Sequence, residues 1–227
     1  MKTDEIKELF KVSTIIMDAD DTLWYDNIYY SNLKQKLFKL LPYIEEKELN
    51  SHIHALIKDD KGKKLIQAIT EVSQFYNIGE EDKMKLELEI NKLRNYPIVL
   101  LPYVKETINL LKNYTLFLTT MGDFDKQIQK ILRSGLSNYF DSIFVLKNKD
   151  ISEWEKFYTD KIFCDIKSED ILVIGNSLKK DIIPNQNMCV KTLWLDHKFN
   201  TFGRDYNNNI KVNRIKSWKE IYDALKF

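Results

Sequence analysis

The chain has 227 residues, enough for one good-sized domain or for a core domain carrying a smaller inserted one. Hydrophobic residues make up 44% of it, with 12 Phe and 12 Tyr, which supplies a sizeable core and excludes global disorder. With 35 basic residues against 34 acidic ones the net charge is +1, an overall balance with no electrostatic footprint for nucleic acid or an acidic membrane.

The charged start MKTDEIKELFK does not fit a signal peptide, and no apolar run reaches the length of a membrane span. Cys164 and Cys189 lack metal-ligand spacing and are expected to be free and reduced. A cytoplasmic protein with no membrane or nucleic-acid partner is the expectation; oligomeric state is not encoded in any of these features.

The first apolar, β-branched run, Ser13 to Met17, reads as a buried strand and ends in the carboxylates Asp18, Asp20 and Asp21. No buried strand follows between Asn27 and Asn95. Leu33, Leu37, Leu40 and Leu41 form one helical stripe there, and Leu65, Ile69, Val72 and Tyr76 form another. Met84, Leu86, Leu88 and Ile90 alternate as a strand would, but Leu86, Ile90 and Leu93 also fit a helix face, and the intervening Lys and Glu favour helix. Residues 27–97 are therefore expected to be a helical insertion, with 1–26 and 98–227 forming the main domain.

A helix through Val104, Ile108 and Leu111 then leads to strands at Tyr114–Leu118 and Ile143–Leu146, separated by a helix through Ile128, Ile131 and Leu132 that stops at Gly135. Ile171–Ile174 and Val190–Leu195 read as further strands. The tail has an Asn-rich turn from Tyr206, an edge strand at Ile210–Ile215, and a helix through Trp218, Ile221 and Leu225. Strand–helix alternation implies parallel strands joined by crossovers, and so an α/β fold with a doubly wound, Rossmann-like parallel sheet plus a small helical domain.

Catalytic groups in such sheets gather at the carboxyl ends of strands, where DADDT, Asp18 to Thr22, stands. Two carboxylates two residues apart can divide labour, Asp18 as nucleophile and metal ligand and Asp20 as proton donor and then acceptor. An acidic structural turn is the bland alternative. A calcium loop fits poorly, because Leu23 stands where that loop needs Gly and Tyr29 where it needs Glu. The second strand ends in Thr119–Thr120–Met121–Gly122, whose hydroxyls and amides could hold phosphate oxygens. The fourth ends in GNSLKKDIIP, where Asn176 and Asp181 can offer oxygen ligands to a hard cation, and Asn176 or Ser177 could equally cap a helix.

Taken together and in this order, these motifs resemble the haloacid dehalogenase-like hydrolases over nearly the whole chain. The resemblance implies Asp18 as nucleophile and Asp20 as general acid/base that also gives its main-chain carbonyl to Mg2+. It further implies Thr120 as the hydroxyl binding the transferring phosphoryl group, with Met121 and Gly122 beside it, and Asn176 and Asp181 completing the metal site. The helical insertion resembles the family's cap, and Tyr25, Asp26 and Asn27, which lead into it, are expected to face substrate. His52 and His54, two apart, are read as surface residues.

Three positions depart from the family pattern. Asn176 replaces the frequent Asp, Met121 the frequent Asn, and no Lys-Pro marks the third motif. The third-motif lysine is aligned to Lys156, at the start of a predicted helix, with Lys147, Lys149 and Lys161 as alternatives. The dehalogenases of the family lack the second aspartate, which is present here as Asp20. An alkoxide leaving phosphorus needs a proton, so hydrolysis of a small phosphate monoester is expected. A sugar phosphomutase, a phosphonate hydrolase or a degenerate binding protein are the alternatives; a signalling receiver domain would leave the helical insertion unexplained.

Overall fold

The computed structural model describes residues 1–59, 65–94, 96–162, 166–197 and 211–226, without the side chains of residues 30, 54–59, 65, 66, 93 and 94. Cys164, the turn at Tyr206–Ile210 and the side chains of His54, Leu65 and Leu93 lie outside the described residues. The chain divides into two compact units, Met1–Tyr25 with Ile98–Phe227, and Asp26–Pro97.

In the first unit, α1 (Thr3–Leu9) precedes β1 (Thr14–Asp18). The second comprises α2 (Asn27–Leu40), α3 (Glu46–Asp59), α4 (Leu65–Phe75) and α5 (Glu80–Arg94). The first unit then resumes with α6 (Val104–Leu110), β2 (Thr115–Met121), α7 (Phe124–Ser134), β3 (Ser142–Leu146) and α8 (Ile151–Phe157). It closes with β4 (Ile171–Gly175), α9 (Ile183–Asn187), β5 (Lys191–Leu195), β6 (Arg214–Ile215) and α10 (Trp218–Lys226).

All strand pairs are parallel, in the order β3-β2-β1-β4-β5-β6. Both faces of the sheet are covered, which is why β1 and β4 are apolar without alternation and buried at every position. Ile15 and Met17 face one core with Leu118, Ile174, Val104 and Trp218. Ile16, between them, faces the other with Val173, Trp154 and Tyr158. Each such side chain contributes roughly 1.5–3 kcal/mol of burial. The expected edge strand Ile210–Ile215 is described only as the two-residue β6.

In the helical unit, Leu33, Leu37, Leu41, Ile69 and Val72 pack in one core, as their spacing predicts, with Leu86 and Ile90 from α5. The alternating stretch is helical: Leu86 and Ile90 are buried one turn apart while Met84 and Leu88 are exposed. Asp26 is buried and accepts a hydrogen bond from the Tyr96 hydroxyl within this unit. That orients it into the unit's own fabric, and Tyr25 packs against the sheet unit's core. His52 is half-buried rather than a free surface residue, packed edge-on to Phe75 and Tyr76. Cys189 is free and exposed. No described helix is long and apolar enough to cross a membrane.

Candidate active site

β1 sits between β2 and β4, where the strand order reverses, and such a switch point opens a crevice at the carboxyl ends of the strands. Asp18 ends β1 in register with Thr119 of β2. The chain then turns tightly. The Ala19 carbonyl accepts from the amides of Thr22 (3.1 Å) and Leu23 (2.8 Å), and Asp21 takes a left-handed φ of 56°. This turn is tied down from outside: the Trp218 indole donates to the Thr22 carbonyl (2.7 Å), and His197 Nε2 lies 2.7 Å from the Asp21 carbonyl.

The turn brings the Thr22 hydroxyl within 2.6 Å of Asp18 Oδ2. Asp18 Oδ1 accepts from Lys149 Nζ at 2.5 Å, and the same ammonium reaches Asp181 Oδ1 at 2.9 Å and the Thr119 carbonyl at 3.2 Å. Asp181 is fixed on its other oxygen by the Ser177 amide at 3.0 Å. Gly175 has to be glycine here, since a Cβ would stand 2.5 Å from Asp181 Cβ. Burial pushes the Asp18 carboxyl up to about 6, with the charge of Asp181 adding to it; Lys149 and Thr22 pull the other way. Burial works to discharge Lys149, but Asp18 and Asp181 outweigh it and hold the ammonium above the ordinary lysine value.

The predicted Lys156 is exposed on α8, and the lysine beside Asp18 is Lys149. The reason is a helix boundary. Asp150 caps α8 by accepting from the Glu153 amide (2.9 Å), so Lys149 still belongs to the loop at the carboxyl end of β3, while Lys156 lies more than a turn into the helix. Asp150–Ile151–Ser152–Glu153 has the capping-box pattern, a signal that could have placed the helix start and favoured Lys149.

Asp20 is held by groups that sequence reasoning missed. Lys130 Nζ meets both its oxygens at 2.6 and 2.7 Å, the Trp24 indole donates to Oδ1 at 2.7 Å, and Gln127 Nε2 to Oδ2 at 3.2 Å. Lys130 and Gln127 lie three apart on α7, hence on one helix face, the signal that links them. Thr120 is buried near the end of β2. Gly122 follows with φ 128°, a conformation side chains disfavour, as the backbone leaves the strand. Asn176 is buried at the end of β4, its carbonyl accepting from the Trp194 indole at 2.8 Å. Ser177, not Asn176, supplies the side-chain cap, accepting from the Lys180 amide at 3.2 Å.

No family model matches the chain. It is 23% identical to a glyceraldehyde 3-phosphate phosphatase of Methanothermobacter thermautotrophicus, over 94% of this chain and all of that one. The HAD-hydrolase YfnB of Bacillus subtilis is 31% identical over 52% of this chain and 50% of its own. A haloacid dehalogenase-like family hydrolase from Xanthomonas campestris has the same fold, with a TM-score of 0.75 at 21% identity over 95% of this chain and 91% of that one. YfnB, solved bound to magnesium, superposes at 0.67 and 21% identity over 96% of this chain and 100% of its own. The chain has the fold of these haloacid dehalogenase-like hydrolases and is similar in sequence to the two curated relatives.

Proposed function

We propose that the chain is a phosphoric monoester hydrolase acting on a small phosphorylated metabolite, with Asp18 as the nucleophile. The observation that carries this reading is the buried Lys149 ammonium shared by Asp18 and Asp181, with Thr22 on the remaining Asp18 oxygen. That arrangement fixes a carboxylate for attack and counters the negative charge that a phosphate ester would bring. The curated relatives named as phosphatase and nucleotidase support it.

The donor set suits Mg2+. Among the described residues no three His, Cys, Asp or Glu side chains converge as a cage. The residues that would hold Mg2+ are the carboxylates of Asp18 and Asp181, the Asn176 side chain and the Asp20 main-chain carbonyl, hard oxygen donors with few carboxylates. Mg2+ accepts such a set because it keeps several waters. When bound, it would supply charge neutralisation for the phosphoryl oxygens. The magnesium-bound state of YfnB supports this choice.

In the reaction, an Asp18 oxygen attacks phosphorus as the ester oxygen leaves, and Asp20 gives that oxygen a proton. Asp20, then ionised, takes a proton from water as it attacks the phospho-aspartate, releasing phosphate and restoring Asp18. Thr120 and the amides around Gly122 bind phosphoryl oxygens, and Lys149 holds Asp18 in place. We read residues 26–97 as the cap that selects the substrate.

The test is phosphate release from p-nitrophenyl phosphate, with and without Mg2+, by wild type and Asp18→Asn. Turnover that needs Mg2+ and vanishes in the variant is expected. Undiminished turnover by Asp18→Asn would overturn the covalent mechanism.

A further inference from the structure

The Lys180 ammonium lies 3.3 Å from Met121 Sδ, and this thioether is its one acceptor among the described residues. A thioether is a weak acceptor, so the contact leaves most of the ammonium's hydrogen-bonding capacity unused. Met121 itself ends β2, immediately after Thr120 and before Gly122, at the carboxyl edge of the sheet where Asp18 also ends its strand. Lys180 directly precedes Asp181, so one turn carries both a buried carboxylate of the site and an exposed ammonium beside it.

The backbone of that turn is held at both ends of the residue. The Lys180 amide donates to Ser177 Oγ at 3.2 Å, and its carbonyl accepts from the buried Trp154 indole at 2.7 Å. The Lys180 ammonium is also close enough to the site to be influenced by Asp181, Lys149 and Asp18, and partial loss of water holds it below the ordinary lysine value.

Charge gives the ammonium a task. Asp18 and Asp181 share the single positive charge of Lys149, and Mg2+ would bring two more. Leaving the Asp20–Lys130 pair aside, that sum of one positive charge falls short of the two negative charges of an arriving phosphate dianion. Met121, between Thr120 and Gly122, has a side chain with no hydrogen-bond donor to offer an anion. We propose that Lys180 is a substrate-binding residue, its ammonium exchanging the Met121 sulfur for an oxygen of the phosphoryl group and supplying the donor that Met121 lacks. This rests on the phosphatase reading and names a binding residue for it.

The test is calorimetric binding of inorganic phosphate in Mg2+ buffer to wild type, Lys180→Met, Lys180→Arg and Lys179→Met, with p-nitrophenyl phosphate turnover measured in parallel. Lys180→Met is expected to weaken phosphate binding about tenfold, as for a charge-assisted hydrogen bond in a partly wet site. Lys180→Arg should recover most of that affinity. Lys179→Met, the same loss of charge at the exposed neighbouring residue, should shift it less than threefold or so if long-range charge is screened. Phosphate binding by Lys180→Met equal to wild type would overturn the inference, as would an equal loss in Lys179→Met. A wild type that binds phosphate through Lys180 yet hydrolyses no ester would sustain the anion site and remove the phosphatase reading. A wild type that binds no phosphate would remove both.

Discussion

Replacing Lys149 by Met removes the ammonium between Asp18 and Asp181 and leaves two carboxylates facing each other in a buried site. Deleting one partner of a buried charge group costs roughly 3–5 kcal/mol, because the other charge stays desolvated. In a chain of this size each kcal/mol is worth about 2–4 °C, so a fall in Tm of about 10 °C is expected. The four tryptophans, Trp24, Trp154, Trp194 and Trp218, all lie in the sheet unit, so urea unfolding followed by fluorescence reports on the unit that holds the site.

The pH dependence has a definite sign. The Asp18 carboxyl is raised from an ordinary 3.8 to about 6, so its burial costs stability progressively as pH rises from about 3.8 to about 6, and Lys149 limits that cost. The folded-state value of Lys149 is raised, so its contribution is fully present below 10.5 and does not change between pH 5 and 8. Without the ammonium the Asp18 carboxyl is pushed further above 6, so the deficit of Lys149→Met grows as pH rises above about 6 and is smaller and flat below it. Lys156→Met, on an exposed position, should stay within about 0.5 kcal/mol of wild type and keep its turnover. Equal midpoints for Lys149→Met and wild type, or greater damage from Lys156→Met, would refute the reasoning.

Three further outcomes follow from the same geometry. Gly175→Ala should cost about 1–3 kcal/mol and weaken Mg2+ binding, since its Cβ displaces Asp181; unfolding midpoints and a Mg2+ titration read both. Carbon-detected NMR of metal-free protein should find Asp18 titrating near 6, and Thr22→Val should move the midpoint higher by removing a hydrogen bond to the ionised form; a midpoint near 3.8 would contradict the burial argument. Lys130→Met frees the Asp20 carboxylate from its two-point hold. It should slow hydrolysis of alkyl phosphates at least about tenfold more than that of p-nitrophenyl phosphate, whose phenolate leaves without a proton; equal losses on both would argue for a structural role.

Much of the sheet unit was legible because its strands are short, apolar and bounded, and their carboxyl ends carry unusual polar residues. Asp18 and Asp181 could be brought together from sequence only through the strand order that a doubly wound sheet imposes. In the helical unit, the apparent alternation at Met84–Ile90 misleads because exposed Met84 and Leu88 are apolar; the helix shows in Leu86 and Ile90, one turn apart. Lys156 was misplaced for a local reason, a helix start set by the Asp150 cap rather than by hydrophobic spacing.

What the sequence determined by itself was therefore everything governed by neighbours along the chain: the strand that ends at Asp18, the helical stretches of 27–97, and the glycines where the backbone must turn sharply. The tertiary structure alone decided which lysine serves Asp18 and what holds Asp20. Lys149 lies 131 residues from Asp18, and Lys130 lies 110 from Asp20. No periodicity reaches across such distances, and in a lysine-rich chain only parallel pairing of β1, β2 and β3 selects the ammoniums that arrive at the same edge.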